Sequence, residues 1–354
     1  MHETYLKLAL EQAQQGKGFC APNPAVGAII VKNGAVVGVG HHQKAGTPHA
    51  EIHALQAAGN AANGATLYVT LEPCCHYGRT PPCTETMITA NLKEVFFAYR
   101  DPNPKVNGSG QLALNMAGIH CQQISLDAIN DFYQSYHHWT VYKTPWITAK
   151  LAISLDGNVA KADGKPVALT GSALQHVTHQ QRRYADAILT TIRTVLNDDP
   201  QLNVRFPQQD PIAKKVYVLD RELQFSLTAQ LLKTAASITL FHEPQANTQR
   251  LKTLKHPKIR CESTPVTKTG LDLPSVMKMI GQDGIHDLWV EAGGRLFNTL
   301  ITEKMAHELY LYIAPKTLGP NALAAFSTEL QLSDFYKNIQ WCCMGNDIMG
   351  HCKN

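Results

Sequence analysis

The sequence predicts an α/β protein of two domains, each built from a sheet with helices packed on it. Three observations carry that prediction. The chain has 354 residues, more than one hydrophobic core usually organises. Runs of β-branched and apolar residues alternate along it with segments of 3.6-residue periodicity, the pattern of α/β architectures. Hydrophobic residues make up 44% and charged residues 17%, with a formal charge of only +4, as in an ordinary soluble globular chain.

Taken in order, Tyr5, Leu6, Leu8, Ala9, Leu10 and Ala13 recur with helical spacing and predict a helix over 2–15, closed by Gly16 and Gly18. Two β-branched runs, 26–31 and 35–39, are joined by Lys32, Asn33 and Gly34, and Asn-Gly between apolar runs is a strong hairpin signal. A helix starts near Pro48, because Ile52, Leu55 and Ala58 then recur at helical intervals. Residues 65–71 read as a buried strand, the next helix carries Cys83, Met87 and Ile88, and 95–99 is a further strand ending at Arg100-Asp101-Pro102-Asn103-Pro104. Residues 109–143 read as helix, strand and helix. Tyr133, Tyr136, Trp139 and Tyr142 follow helical spacing there, and packing between the two domains is their expected use. Lys143-Thr144-Pro145 reads as the boundary, giving domains 1–144 and 145–354. Beyond it the expected elements are strand 146–154, helix 172–185, strands 187–191, 215–220 and 237–241, helix 274–281, strand 287–291, helix 294–302 and strand 307–314.

Chemistry concentrates between residues 47 and 83. His49, Cys74 and Cys83 supply the three protein ligands that a catalytic zinc takes while keeping a fourth position for water. Glu51, two residues beyond His49 in the first turn of a helix, is placed to move protons beside the metal without ligating it. The signature of zinc nucleobase deaminases is H-x-E followed by P-C-x-x-C. This chain has His49-Ala50-Glu51 and Pro73-Cys74, but sets the second cysteine at Cys83.

The stretches P-H-A-E-I-H-A-L, L-E-P-C, H-Y-G-R-T-P-P-C and D-P-N-P together resemble the deaminase half of the bifunctional riboflavin-biosynthesis deaminase–reductase family. The second half is similar to that family's reductase half in K-L-A-I-S-L-D-G, A-D-A-I-L, T-V-L-N-D-D-P-Q-L-N-V-R, W-V-E-A-G-G and Y-I-A-P-K-T-L-G. The resemblance implies a cytidine-deaminase-like three-layer domain followed by a domain like dihydrofolate reductase. It implies zinc-dependent hydrolytic deamination of a diaminopyrimidinone ribosyl phosphate, with Glu51 shuttling the proton, and then hydride transfer from NADPH to the ribose C1′, opening the sugar to a ribityl chain.

Carried over residue by residue, the resemblance implies substrate contacts at Asn23, His42, His76, Arg79, Asp101 and Asn103 in the first half, with no role for His41. Cys75 stands where the family pattern has serine, and Cys74 occupies the ligand position. In the second half Leu202 and Glu291 match substrate positions, and Arg182 and Arg205 are candidates to clamp the ribose phosphate, since a guanidinium matches phosphate oxygens bidentately. Ala152, Thr194 and Asp198 match cofactor positions, with Asp198 and Lys150 the candidate catalytic groups. Glu291-Ala292-Gly293-Gly294-Arg295 reads as a strand entering a helix through glycines, and the resemblance implies that Gly293, Gly294 and Arg295 hold the pyrophosphate of NADPH there. The chain departs from the pattern at Pro166 and Ala168, at Thr191 and Arg193 in the stretch Thr191-Ile192-Arg193, and at Arg221.

Other classes are disfavoured. The nine cysteines are scattered over a long chain, unlike a dense secreted disulfide scaffold. No apolar run reaches membrane-span length, and the N-terminus lacks a signal-peptide core, so a cytoplasmic protein without membrane partners is expected. No basic stripe with interleaved aromatics marks a nucleic-acid binder. A structural zinc would need four closed ligands. The alternative kept open is a single-function zinc deaminase whose C-terminal half binds nucleotide without reducing. A homo-oligomer acting on a small phosphorylated pyrimidine is expected in either case.

Overall fold

The structure is a computed structural model that describes residues 1–75, 77, 81–164, 167–326 and 329–353. The expectations for His76, Arg79 and Pro166 lie outside the described residues. The chain divides into two compact units, Met1–Lys143 and Thr144–Asn354.

The first unit opens with α1 (His2–Gly16), β1 (Gly27–Lys32) and β2 (Ala35–His41). Asn33 and Gly34 turn the hairpin with φ of 52° and 79°, the left-handed pair that a two-residue turn needs and that Asn-Gly adopts at least cost. Then come α2 (Ala50–Ala58), β3 (Thr66–Leu71), α3 (Cys83–Thr89), β4 (Glu94–Tyr99), α4 (Ser109–Met116), β5 (His120–Gln123), α5 (Asp127–Phe132) and α6 (Gln134–Tyr142). The described residues form a five-stranded sheet in the order β2-β1-β3-β4-β5, antiparallel on the hairpin side and parallel from β3 to β5. Ala54, Leu55, Met87 and Leu114 cover one face and Leu6, Ala9, Ile129 and Tyr133 the other, which makes a three-layer sandwich. A Cβ at Gly40 would stand 2.3 Å from the Ala50 carbonyl. Glycine there lets the first turn of α2, and with it His49, rest directly on β2.

Three rings of the aromatic run belong to the first unit's own core: Tyr133 and Tyr136 are buried and Trp139 packs on the same cluster. Helical spacing shows that the rings share a face, not which neighbour covers it. Here Tyr133 meets Thr70 Oγ1 at 2.6 Å and Tyr136 donates to Asp101 at 3.1 Å, so the face carries polar anchors reaching towards the strand ends.

The second unit begins with β6 (Trp146–Ser154), β7 (Asn158–Ala160), α7 (Ser172–Tyr184), β8 (Ala187–Thr191) and α8 (Ile192–Asp198). It continues through β9 (Lys215–Leu219), α9 (Gln230–Thr234), β10 (Ser237–His242), α10 (Thr248–Thr253), β11 (Ile259–Ser263) and α11 (Leu273–Gln282). β12 (Asp287–Glu291), α12 (Gly294–Thr302), β13 (Glu308–Ala314), β14 (Leu323–Ala324), β15 (Asn338–Met344) and β16 (Asp347–Lys353) complete it. Its described residues form a nine-stranded sheet, β11-β10-β9-β8-β12-β6-β13-β16-β15, parallel from β11 to β13 and antiparallel through the last hairpin. Along β6, Ile147, Ala149, Leu151 and Ile153 enter the core shared with α11 and α12. Strand alternation then puts Lys150 and Ala152 on the opposite face, which α7 and α9 cover through Leu174 and Leu231. The hairpin β15–β16 and the short elements α8, α9, α10 and β11 are additions to what the sequence predicted.

Candidate active sites

In the first unit, His49 caps the N-terminus of α2, and Glu51 sits in its first turn, 4% exposed. Cys83 opens α3, and its backbone N–H donates to Cys74 Sγ at 3.4 Å, so the turn after β3 is docked on the start of that helix. His49 Nδ1, Cys74 Sγ and Cys83 Sγ lie within 4.8 Å of one another, with Nδ1 3.2 Å from Cys83 Sγ and 3.6 Å from Cys74 Sγ. Tetrahedral zinc, with Zn–S of about 2.3 Å and Zn–N of about 2.0 Å, spaces its ligand atoms roughly 3.6 Å apart. The donor set and its spacing therefore fit the ion. Electrostatics agree. The hydrogen bond with Cys83, joined by those from His49 and the Cys83 backbone, holds the Cys74 thiol down at about 4 despite burial. The Cys74 hydrogen bond raises His49 to about 9 against the effect of burial. A cation held by these three atoms would balance the sulfur charge. Burial pushes the Glu51 carboxyl up.

Around this cluster the loops carry more detail than the sequence offered. His42 is 2% exposed, and both its nitrogens are engaged. Nδ1 lies 3.1 Å from the Pro48 carbonyl, which can only accept, so Nδ1 carries the proton. Burial favours the neutral ring, so Nε2 accepts from Asn23 Nδ2 at 3.2 Å. His42 thereby fixes the Asn23 amide, leaving Asn23 Oδ1 as the acceptor. Asp101 takes the backbone N–H of Asn103 at 2.8 Å as well as the Tyr136 hydroxyl, and Asn103 Oδ1 takes the N–H of Lys105 at 3.2 Å. Both residues thus shape the D-P-N-P turn. Burial lifts the Asp101 carboxyl to about 6. Glu72, which sequence reasoning passed over, is buried and accepts the backbone N–H groups of Gly108 and Gln111 at 3.0 and 3.3 Å. It joins the Cys74 turn to the start of α4; its place in L-E-P-C was the available signal.

In the second unit, Arg182 of α7 grips Glu291 at the end of β12 with two bonds, 2.6 and 2.9 Å, and donates a third to the Asn203 carbonyl at 2.9 Å. Trp289 Nε1 donates to the same carboxylate at 2.8 Å. Burial alone would raise the Glu291 carboxyl, but Arg182 outweighs it and holds the group near 2. Lys150 stands with its ammonium 5.2 Å from the centre of the Tyr312 ring. Burial lowers its pKa, while Glu291 and Asp198 pull it up and Arg182 pushes it down, so these four groups share one field. Arg205 is exposed and donates to Asn203 Oδ1. Leu202, with φ of 42°, buries its side chain in the core, which leaves its backbone for any ligand. The Thr194 N–H is held by Thr191 Oγ1 at the cap of α8. A Cβ on Gly293 would meet nothing within 4 Å, whereas one on Gly294 would stand 2.0 Å from the Ala325 carbonyl. Gly293 therefore leaves open space at the N-terminus of α12, which fits a pyrophosphate, and Gly294 is required by packing. Arg295 is tied to the Thr269 carbonyl at 2.8 Å.

Comparison with known proteins decides the family. Residues 145–349 match the RibD C-terminal domain, and residues 1–99 match the zinc-binding region of cytidine and deoxycytidylate deaminases. The riboflavin biosynthesis protein RibD of Aquifex aeolicus is 38% identical over 322 residues, 90% of this chain and 88% of that one. The chain belongs to the RibD family. RibD of Acinetobacter baumannii superposes with a TM-score of 0.87 at 34% identity, over 99% of this chain and 98% of that one. A Thermotoga maritima structure superposes with a TM-score of 0.84 at 28% identity, again over 99% and 98%. It is described as a diaminohydroxyphosphoribosylaminopyrimidine deaminase and 5-amino-6-(5-phosphoribosylamino)uracil reductase. As a RibD protein, the chain is a bifunctional riboflavin-biosynthesis enzyme that joins a zinc-binding deaminase domain to an NADPH-using reductase domain. The single-function alternative is not favoured.

Proposed function

We propose that the first unit deaminates 2,5-diamino-6-ribosylamino-4(3H)-pyrimidinone 5′-phosphate, and that the second reduces the ribosyl group of the product to ribityl. The observation that carries this reading is the three-ligand cluster of His49, Cys74 and Cys83 with Glu51 buried beside it. The activities described for the Thermotoga relative support the substrate. Zinc on those ligands would lower the pKa of water towards neutrality. The Glu51 carboxylate takes a proton from the attacking water and returns it to the departing amine, a task suited to a carboxyl whose burial favours the protonated form. Asn23 offers Oδ1 to a donor on the substrate. Asp101, which accepts from Tyr136, and Asn103 contact the substrate, and the family resemblance assigns substrate contacts to His76 and Arg79 as well.

In the second unit, NADPH would deliver a hydride to the ribose C1′. The open N-terminus of α12 at Gly293 receives its pyrophosphate, with Ala152, Thr194, Asp198 and Arg295 along the cofactor. Arg182 spends three of its five N–H groups on Glu291 and Asn203. The remaining two, with the exposed guanidinium of Arg205, hold the 5′-phosphate. Lys150 and Asp198 move the proton that accompanies ring opening, and Glu291 and Leu202 orient the sugar. We also propose that the enzyme is a cytoplasmic homo-oligomer. No helix among the described residues is long and apolar enough to cross a membrane.

Purified protein given the diaminopyrimidinone nucleotide and NADPH should release ammonia and then oxidise NADPH in equal amount. Ammonia release without NADPH oxidation, at any enzyme concentration, would overturn the second step.

A further inference from the structure

One turn before Arg182, α7 carries a histidine to which the two proposed reactions assign no task. His179 is half-buried, and its Nδ1 accepts the backbone N–H of Arg205 at 3.1 Å. A neutral imidazole that accepts at Nδ1 carries its proton at Nε2. Residues three apart share a face of a helix, so His179 and Arg182 lie on one side of α7. Asn203, 4% exposed, ties the group together: its carbonyl takes a bond from Arg182 and its Oδ1 one from Arg205. Phe206 lies edge-on to the His179 ring at 6.3 Å and shields it on one side.

The charges here do not balance. Arg182 is matched by Glu291, but among the described residues Arg205 meets no carboxylate at ion-pair distance. Burial holds His179 down at about 4, with Arg182 and Arg205 adding to the effect and Glu291 and the Asn203 backbone opposing it. Burial and Arg182 likewise lower Arg205. Fixed donors and surplus positive charge at a partly open position are what an incoming anion would satisfy.

We propose that His179 is a third direct ligand of the substrate's phosphate monoester, donating from Nε2 beside Arg182 and Arg205. This rests on the reading of the two arginines as the phosphate clamp. The nearby cofactor also carries a phosphate monoester, on its adenosine ribose, so the test uses both chemistries.

Ribose 5-phosphate and adenosine 2′,5′-bisphosphate are titrated calorimetrically into the intact protein and into two variants, after melting curves show each to be folded. His179→Asn keeps an acceptor near the Nδ1 position for Arg205 but loses the Nε2 donor. His179→Gln keeps a donor near the Nε2 position but loses that acceptor. Loss of one hydrogen bond to a charged group predicts that His179→Asn binds ribose 5-phosphate about tenfold more weakly. The KM for the deaminated intermediate should rise by the same factor at unchanged kcat. His179→Gln should stay close to the parent, and neither variant should change binding of the adenosine ligand. The reverse order, with Asn normal and Gln weak, would mean that His179 only supports Arg205 and would overturn the proposal. Equal losses in both variants, or a loss confined to the adenosine ligand, would overturn it as well. Arg205→Ala tests the clamp itself. If it too leaves ribose 5-phosphate binding and KM unchanged, the clamp reading fails; if only the His179 variants do, the clamp stands and this inference alone falls.

Discussion

Cys74 and Cys75 are adjacent and chemically alike, yet among the described residues only Cys74 stands with His49 and Cys83. Cys74 accepts the N–H that opens α3, whereas burial raises the Cys75 thiol and its hydrogen bond runs to Ser109. Cys75→Ser should therefore retain a full complement of zinc after dialysis, with deamination within about twofold. Cys74→Ser should lose zinc affinity by at least about tenfold. Asp101 gives a pH-dependent case. Burial raises its carboxyl from 3.8 to about 6, so between those values the folded chain holds a proton that the unfolded chain releases. Stability then falls as pH rises through that window, and the penalty is complete above it. Asp101→Asn keeps an oxygen for Asn103 and Tyr136. It should raise stability at pH 8 by about 1–3 kcal/mol, and melting curves should show the gain shrinking as pH drops from 6 towards 4.

Among the elements, the turn between β12 and α12 separates two roles that the sequence shows as one Gly-Gly pair. Gly294→Ala would drive a methyl group into the Ala325 carbonyl and should cost about 1–3 kcal/mol of stability. Gly293 has ordinary dihedrals, φ −72° and ψ 173°, and open space above it. Gly293→Ala should leave the melting temperature unchanged while raising the KM for NADPH by about tenfold; no change in KM would remove the turn from the cofactor site. Elements with a strong internal period, such as α1, the β1–β2 hairpin, β6 and α12, were legible because local pattern and tertiary context agree in them. The β15–β16 hairpin was not, since β15 is largely exposed and the pair is fixed by β16 lying against β13, a partner distant in sequence. The grouping of His49, Cys74 and Cys83, with Glu51 in the first turn of the helix that His49 opens, was legible from residue type and spacing. The lock of His42 on Asn23, the Arg182–Glu291 grip and the Asn203 bridge were not, because each joins residues that only folding brings together.

For the whole molecule, each unit has its own sheet with a hydrophobic cluster on either face, and each carries a candidate site made from its own residues. If one chain performs two reactions at two such sites, Glu51→Gln should silence one and spare the other. Zinc content, ammonia release from the diaminopyrimidinone nucleotide and NADPH oxidation on the deaminated intermediate are measured on the same preparation. Zinc should stay at the parent level, deamination should fall by at least about a hundredfold, and NADPH oxidation should run at the parent rate. Deamination that survives the substitution, or NADPH oxidation that disappears with it, would contradict the claim.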